Sequence, residues 1–387
     1  MTMRMRGLVG LGGWLAATVW GAPTWAQIAV SANDNKAVLV DGVNTVVRNP
    51  APDTVTLLDV SVSPPRVIGE VRAPNSVIGP PLNVAIAPSG AIALVASSTR
   101  IDPADPTRTA PDDLVSVIDL KSTPARVLAT LHAGRGASGV SFNRAGTLAL
   151  VANRIDGTIS AFAVSGTTVT PAGLVDLGAP DSGPSHVVFT RDGRTALVTR
   201  NNDSLISILA IDGRAVSYTK RDIAAGLKPY AIDVTPAGDA AVVAHIGAGA
   251  LGGVDTLAVI DLTRDPPRVV DQIAAGPTLE GLAISADGRF VATTVMDGSN
   301  LPKTSPFFHD AGQLRVFGLQ DRRLTAVAQA ATGHWCQGAG WSRDGRTIVV
   351  QCMADRAIRT YAFDGRTLTP GVVIPLDGGP SGLRVSP

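Results

Sequence analysis

The amino-acid sequence predicts an all-β protein, a seven-bladed β-propeller of four-stranded blades. The prediction depends on a recurring sequence motif, on the spacing of its copies and on incomplete repeats at both chain ends. The motif is a short apolar strand, a turn that ends in glycine and a second apolar strand. Its turn glycines are Gly90, Gly146, Gly193, Gly238, Gly288 and Gly345. A repeat of about 40–50 residues that contains only strands is typical of a β-propeller.

Each repeat is interpreted as four strands, a to d. Strand a, as at residues 139–142, is nearly all apolar or small, which is expected where blades converge on an axis. The a–b turn, as at residues 191–193, ends in glycine because a tight hairpin needs positive φ angles. Strand b is an apolar run such as 149–152, and strand c often closes on aspartate, as at 115–119.

The first and the last repeat are both incomplete, and each contains the strands that the other lacks. The seventh copy of strand a, at residues 381–386, ends the sequence, whereas the first repeat lacks a strand a. In that first repeat, residues 36–40, 54–59 and 66–71 are interpreted as strands b, c and d. We therefore expect the C-terminal strand to complete the N-terminal blade, counted here as blade 1, and to close the ring. The predicted propeller domain spans residues 27–387.

Residues 1–26 are predicted to be a secretory signal peptide. Arg4 and Arg6 form a positive region, and residues 7–20 form an apolar stretch too short to span a bilayer. Small residues at Thr24 and Ala26 place cleavage before Gln27. We therefore expect a periplasmic or secreted protein with no membrane span; an uncleaved N-terminal anchor is the alternative.

Composition excludes several function classes. The net charge is +1, and removal of residues 1–26 with their two arginines gives −1 (1 − 2). A nucleic-acid binder is expected to carry a clear excess of positive charge, so this class is excluded. The cysteines and histidines show no metal-binding spacing, and no cofactor motif has the strand and helix context it requires. We expect no metal, no cofactor and no nucleic acid, and a monomer that binds a small molecule or an exported protein.

The two cysteines lie in one repeat. Cys336 and Cys352 are equidistant in sequence from Asp344, the middle of a predicted three-residue hairpin turn. The hairpin would place them opposite each other, and an oxidising compartment would favour a cross-strand disulfide. Two unpaired thiols are the alternative.

Loop lengths predict a working face. The d–a and b–c connections of a propeller share one face, and the b–c connection is long at residues 98–112, 246–254 and 297–312. Long loops in compact domains are often functional, so blades 2, 5 and 6 should form the binding surface. Polar residues near this face and the axial channel are the candidate ligand- or partner-binding residues: Tyr230, His245, His309, Asp310 and His334.

The third repeat shows the repeated motif most completely, at Gly139-Val140-Ser141-Phe142, Gly146, Val151-Ala152-Asn153 and Gly157-Thr158-Ile159-Ser160. With these residues the repeats resemble the YVTN-type seven-bladed propellers. The resemblance covers essentially the whole mature chain. It implies the fold, and it favours a binding or scaffold role.

One blade contains a second motif, Gly183-Pro184-Ser185-His186, which begins the segment 183–193. This segment is similar to the Gly-Pro-Arg-His motif of the lactonase-type propellers, the relatives of 6-phosphogluconolactonase, with Ser185 in place of the arginine. Residues 198–202 lack the carboxylate of that family's next motif. The resemblance implies lactone hydrolysis with His186 as the base, Arg200 stabilising the oxyanion and Glu280 orienting across the channel. Alternatively, His186 only caps strand a, and Glu280 only pairs with Arg135 or Lys228.

The sequence is therefore compatible with three functions. The first is an exported binding or scaffold module that acts through the loop face of blades 2, 5 and 6. The second is a lactonase-like hydrolase that opens a sugar or muconate-type lactone at the channel mouth. The third is the propeller subunit of an exported redox complex of the amine dehydrogenase type, whose partner chain would carry the cofactor.

Overall fold

The computed structural model describes residues 1–2, 27–249 and 252–387, so the predicted signal peptide lies almost wholly outside the described residues. The described residues contain one helical turn, the 3₁₀ segment Pro180–Ser182, and otherwise only strands and loops. In chain order the strands are Ile28–Asp34 (β1), Ala37–Val40 (β2), Val43–Val46 (β3), Thr54–Asp59 (β4), Arg66–Arg72 (β5), Val84–Ile86 (β6), Ile92–Ala96 (β7), Thr99–Ile101 (β8), Thr109–Pro111 (β9), Leu114–Asp119 (β10), Arg126–His132 (β11), Ala137–Phe142 (β12), Leu148–Asn153 (β13), Thr158–Ser165 (β14), Thr168–Asp176 (β15), Pro184–Phe189 (β16), Thr195–Arg200 (β17), Leu205–Asp212 (β18), Ala215–Ile223 (β19), Pro229–Val234 (β20), Ala240–His245 (β21), Asp255–Asp261 (β22), Arg268–Gly276 (β23), Leu279–Ile284 (β24), Phe290–Val295 (β25), Gln313–Gln320 (β26), Arg323–Ala331 (β27), Cys336–Trp341 (β28), Thr347–Cys352 (β29), Ala357–Phe363 (β30), Leu368–Pro375 (β31) and Gly379–Val385 (β32).

Seven four-stranded antiparallel sheets form the ring, which confirms the predicted seven-bladed propeller. From the axis outwards, blade 1 is β32-β1-β4-β5 and blade 2 is β6-β7-β10-β11. Blades 3 to 7 each take four consecutive strands, from β12–β15 to β28–β31. The apolar strands b lie inside each sheet and are almost fully buried, because apolar side chains from neighbouring blades cover both of their faces.

The C-terminal strand completes blade 1, as predicted. β32 runs antiparallel to β1, with Ala29 opposite Val385 and Ser31 opposite Leu383. The predicted strand b of this blade was wrong, however: β1 takes that place instead of residues 36–40. β1 is buried between β32 and β4, whereas residues 37–46 form the separate β2–β3 hairpin around Asp41 and Gly42, which both have positive φ.

Neighbouring strands a approach very closely at the axis. A Cβ atom on Gly139 of blade 3 would lie 2.5 Å from the carbonyl oxygen of Ser185 in blade 4. The axis is also filled near the loop face, where Leu82 of blade 2 belongs to the same apolar cluster as Leu279 and Leu282 of blade 6. The start of the central channel is therefore packed with side chains.

The predicted disulfide is present. Cys336 and Cys352 lie directly opposite each other on β28 and β29 and are bonded. It joins the inner two strands of blade 7.

The long b–c connections are found where they were predicted, and blade 1 adds a fourth. Residues 97–113 in blade 2 contain the β8–β9 hairpin, residues 246–249 and 252–254 belong to the connection of blade 5, and residues 296–312 extend from blade 6. The β2–β3 hairpin lies in the corresponding connection of blade 1. Among the described residues, no helix is long and apolar enough to cross a membrane.

Candidate functional site

Polar side chains meet at the axis because the start of strand a is bulged. In blades 3 to 7 the strand a–strand b register shifts just after the first residue of strand a. A bulge redirects the side chain it carries. The bulged residues that face the axis are Ser138, Ser185, Tyr230, Glu280 and Gln337.

Glu280 is the acidic residue of this group, and it is buried, with an exposed fraction of only 8%. The Gln337 amide Nε2 of blade 7 donates a hydrogen bond of 2.9 Å to Glu280 Oε2. Burial raises the pKa of Glu280 to about 7, although the Gln337 hydrogen bond and the Arg154 charge act to lower it. The carboxyl group therefore changes its charge near neutral pH.

Arg154 supplies the positive charge in this group. It follows β13, its guanidinium donates to Ser185 Oγ, and its Cζ atom lies 5.6 Å from the centroid of the Tyr230 ring. Burial and the Glu280 charge raise the pKa of Tyr230 well above its ordinary value. The sequence analysis did not identify Arg154 and named Arg135 or Lys228 as the partner of Glu280. Arg135 instead pairs with Asp156 at 2.8 Å. We call Arg154, Ser185, Tyr230, Glu280 and Gln337 the axial cluster.

His186 lies beside the axial cluster but is fully enclosed. It occupies the strand position that holds Gly139 in blade 3, and its ring packs on that glycine, where a Cβ would lie 2.7 Å from His186 Cδ2. Neither ring nitrogen makes a hydrogen bond of normal geometry with a described residue. Burial and the Arg384 charge lower the pKa of His186 to about 3, so the ring is neutral at pH 7 and only weakly basic.

Arg200 is held away from the axis by its own blade. Its guanidinium pairs with Asp203 and lies 3.7 Å from Asp222, on the outer strand β19. The contacts of the described residues thus join none of His186, Arg200 and Glu280 to another. Their catalytic roles stay predictions, and a joint action of all three has no support in this geometry.

The remaining predicted binding residues fall into two groups. His245 is buried in blade 5, where its Nδ1 lies 2.8 Å from the Thr256 carbonyl oxygen and burial lowers its pKa. His309 is exposed in the blade 6 loop, with its Nδ1 2.7 Å from the Asp297 carbonyl oxygen. Asp310, in the same loop, is bound by His334.

His334 bridges two carboxylates on the loop face. Its Nε2 lies 3.2 Å from Asp310 Oδ1, and its Nδ1 lies 3.0 Å from Asp355 Oδ1 in blade 7. Partial burial acts to lower the pKa of His334, but the hydrogen bonds that its ring donates to Asp355 and Asp310, and the charges of these carboxylates, outweigh it, so that the pKa is raised. A protonated His334 therefore fastens the blade 6 loop to blade 7.

Three loops join into one raised surface. Lys303 N of the blade 6 loop donates to Asp41 Oδ1 of the β2–β3 hairpin at 3.4 Å. Phe307 packs on Gly252 of the blade 5 loop so closely that a Cβ there would overlap the ring. We call residues 37–46, 252–254 and 296–312 the loop ridge.

The tips of the loop ridge expose apolar side chains. The exposed fraction is 54% for Val40, 60% for Val43, 64% for Val254 and 43% for Phe307. The sequence prediction identified the blade 5 and blade 6 parts of this surface and missed the hairpin. Its signal, an Asp-Gly turn between two short strands, was present at residues 41–42.

The base of the loop ridge is anchored by buried charge. Lys36 Nζ lies 3.1 Å from Asp34 Oδ1 and 2.5 Å from Asp53 Oδ2, and it donates to the Asn75 carbonyl oxygen at 2.6 Å. Beside it, Met296 and Trp335 pack with Leu39 in an apolar cluster shared by blades 1, 6 and 7. The hairpin and the blade 6 loop are therefore fixed to the body of the propeller.

Among the described residues, no three His, Cys, Asp or Glu side chains converge in an arrangement that could hold a metal ion.

Comparison with known proteins shows the fold alone. No family model and no curated protein sequence matches this chain. Solved structures match over nearly the whole chain. A proposed 6-phosphogluconolactonase from Bacteroides uniformis is 14% identical, with a TM-score of 0.71 over 93% of this chain and 99% of that one. The periplasmic gluconolactonase of Pseudomonas aeruginosa is also 14% identical, with a TM-score of 0.67 over 94% and 99%.

A third similar structure belongs to an enzyme of a different class. The hydrazine synthase of Kuenenia stuttgartiensis is 13% identical, with a TM-score of 0.61 over 81% of this chain and 91% of that one. Proteins of one fold often differ in activity, so these similarities do not select a function. With the seven sheets and the ring closed by β32, they identify the architecture: the chain is a seven-bladed β-propeller with lactonase-like proteins among its structural neighbours.

Proposed function

We propose that this chain is an exported binding module that holds a protein partner on its loop face. The observation that carries the proposal is the loop ridge, with exposed Val40, Val43, Val254 and Phe307 on loops that contact one another. Exposed apolar side chains grouped on one surface mark interaction sites more often than isolated ones do. The blade 2 loop, residues 97–113, borders the same face and extends the proposed surface.

The anchoring of the loop ridge supports binding rather than a passive surface. The buried Lys36 contacts, the apolar cluster around Trp335 and the His334 bridge each fix one part of it. A surface ordered before binding loses little conformational entropy when a partner docks. An apolar centre with a polar rim, here His309 and Asp310, is the usual arrangement of a protein interface.

Export is part of the proposal. It is supported by the sequence of residues 1–26 and by the Cys336–Cys352 bond, since disulfides persist in oxidising compartments. The partner would then be another exported protein, and the site of action would be periplasmic or extracellular.

The experiment is affinity capture from the host's exported fraction with mature protein carrying Val43→Asp, Val254→Asp and Phe307→Asp. Because each change puts a charge into the interface, we expect the captured partner to be lost. Leu174→Asp and Val373→Asp are the matched control, since these residues are 63% and 52% exposed on outer strands. A partner retained equally by the ridge variant and the control variant would contradict the proposal.

A lactone hydrolase is the second candidate, and the axial cluster is the observation that favours it. Glu280, with a pKa of about 7, suits a general base, and Arg154 and Tyr230 are donors for a developing oxyanion. This arrangement replaces the base and the oxyanion donor implied by the sequence, His186 and Arg200, and keeps Glu280.

A pH-indicator screen of aldono-, sugar-phosphate and aryl lactones tests this candidate. If it is correct, Glu280→Gln and Arg154→Ala should each abolish turnover, whereas the sequence-based hypothesis requires loss in His186→Ala. Arg135→Ala is the control, since that arginine pairs with Asp156 outside the axial cluster. Absence of turnover across the panel would leave the binding function alone.

A further inference from the structure

The face opposite the loop face carries a cavity that neither proposed function uses. It has a volume of about 470 Å³ and lies where the strands a of blades 1 to 5 end. The cavity is bordered by strand ends and by the a–b turns that follow them. Its volume falls within the range of about 300–1,000 Å³ that is usual for small-molecule sites.

The charged groups that line the cavity are mostly cationic. Arg144 and Arg191 lie in the a–b turns of the neighbouring blades 3 and 4, and Arg384 comes from β32. Asp233 is the acid among the lining residues, and its Oδ2 lies 3.7 Å from Arg384 Nη1, across the axis. The side chains of three arginines and one aspartate together carry a formal charge of +2 (3 − 1).

Arg144 and Arg191 are exposed and form no ion pair with a described residue. Arg191 is held by packing, because a Cβ on Gly238 of the next blade would lie 2.6 Å from Arg191 Cβ. Nearby neutral groups are already used: Ser141 Oγ donates to the Val187 carbonyl oxygen at 2.9 Å, and Asn143 Oδ1 accepts from Thr147 N at 2.9 Å. The guanidinium groups of Arg144 and Arg191 are thus donors that remain available to a ligand.

Apart from Thr190 and Thr235, the rest of the lining is apolar. Its larger apolar members are Phe142, Val188, Phe189, Val234 and Val385. An apolar wall with a few converging charged groups is typical of a site for an organic molecule rather than for a bare ion. Arginine favours carboxylate and phosphate, because its planar donors match two oxygens at once.

We propose that this cavity binds a small organic anion, a carboxylate or a phosphate ester on an apolar body. The acid group lies on Arg144 and Arg191, and the body lies against Phe142 and Phe189. The site goes beyond the proposed partner binding, since it occupies the other face and contains no residue of the loop ridge.

Calorimetric titration with four probes tests the proposal. 2-Naphthoate and 2-naphthyl phosphate carry both the body and the charge, 2-naphthol carries the body alone, and inorganic phosphate carries the charge alone. We expect at least one of the two complete probes to bind at least about tenfold more tightly than either partial probe, and the preferred acid group distinguishes a carboxylate ligand from a phosphate ligand. If neither complete probe binds at about 5 mM, the proposal is wrong.

Substitutions locate the binding. Arg144→Ala and Arg191→Ala should each weaken binding of the complete probe by about tenfold or more, because each removes a charge-assisted hydrogen bond. Arg194→Ala is the matched control, since Arg194 is exposed in the same turn as Arg191 but does not line the cavity. Equal affinity in all three variants would overturn the proposal.

Discussion

At the scale of single residues, Glu280 and His186 show how neighbours from other blades decide the chemistry of a side chain. Both lie near the start of a strand a, and both are buried. Burial raises the pKa of Glu280, while the Gln337 hydrogen bond and the Arg154 charge act to lower it, so the carboxyl group titrates near neutral pH. His186 packs on Gly139, and neither ring nitrogen makes a hydrogen bond of normal geometry with a described residue, so burial keeps the imidazole neutral.

Glu280→Gln should make the protein less sensitive to pH. The pKa of Glu280 is about 7 in the folded state against a reference value of 4.5, so the folded state binds more protons between those values. Stability contributed by this group therefore falls as pH rises from about 4.5 to 7. The pKa difference of 2.5 (7 − 4.5) corresponds to about 3 kcal/mol of unfolding free energy. Between pH 4 and pH 8 the wild type should lose this stability relative to the variant.

Urea unfolding at a series of pH values measures this gain. Glu70→Gln is the control, because Glu70 is exposed on the outer strand β5 and should leave the pH profile unchanged. Parallel profiles for the wild type and Glu280→Gln would show that Glu280 is not buried as described.

The residues of the site were only partly predictable from sequence. Repeat spacing placed Tyr230 and Glu280 at the axis, because they occupy equivalent positions of equivalent strands. It could not identify Arg154, since the partners of that side chain lie on blades 4 and 5 and depend on how far an arginine reaches across the axis. Nor could it show that Asp203 and Asp222 draw Arg200 outwards.

At the scale of elements, connections were harder to predict than strands. Strands b to d have strong patterns, so most were located correctly. Residues 36–40 also have a strand pattern and were predicted to be strand b of blade 1, although residues 28–34 fill that place. Both segments are short and apolar, and only pairing with β32 and β4 distinguishes them.

His334 should make the attachment of the blade 6 loop depend on pH. Its pKa is raised in the folded protein, so the stabilisation is fully present below its unfolded value of 6.5 and is lost as pH rises through the folded value. We expect hydrogen exchange in residues 304–312 to quicken over that rise and to be fast at all pH values in His334→Ala. His132→Ala, which removes an exposed ion pair with Asp113, should not affect this loop.

Loss of the disulfide should destabilise blade 7. The bond closes a loop with a sequence separation of 16 residues, for which chain entropy predicts about 3 kcal/mol. Cys336→Ala with Cys352→Ala should therefore unfold at lower urea, and the wild type under reducing conditions should match it. A wild type insensitive to reductant would mean that the bond does not form in solution.

At the scale of the whole molecule, the ring depends on the contact between its two ends. Leu383 of β32 is buried among Ala29, Leu58 and Ile358, so this one side chain packs on blades 1 and 7. A propeller without its closing strand would leave an open edge on β1, and unpaired edges tend to aggregate.

Leu383→Ala should cost about 2–5 kcal/mol of unfolding free energy, because it opens a cavity at the closure. Hydrogen exchange should increase in β1 as well as in β32, and much less in β20 on the far side of the ring. Val373→Ala is the control, since that residue is exposed on an outer strand and the change should cost under about 0.5 kcal/mol. A uniform increase around the ring would show that blade 1 is no weaker than the others.

The pairing of β1 with β32 also sets an order of events during biosynthesis. Residues 379–385, which cover the inner edge of residues 28–34, are translated after all the other strands of the ring. Until they are made, the nascent chain has an incomplete first blade and a ring that cannot close. Closure of the ring is therefore a late step, and all six other blades can be complete before the first one is.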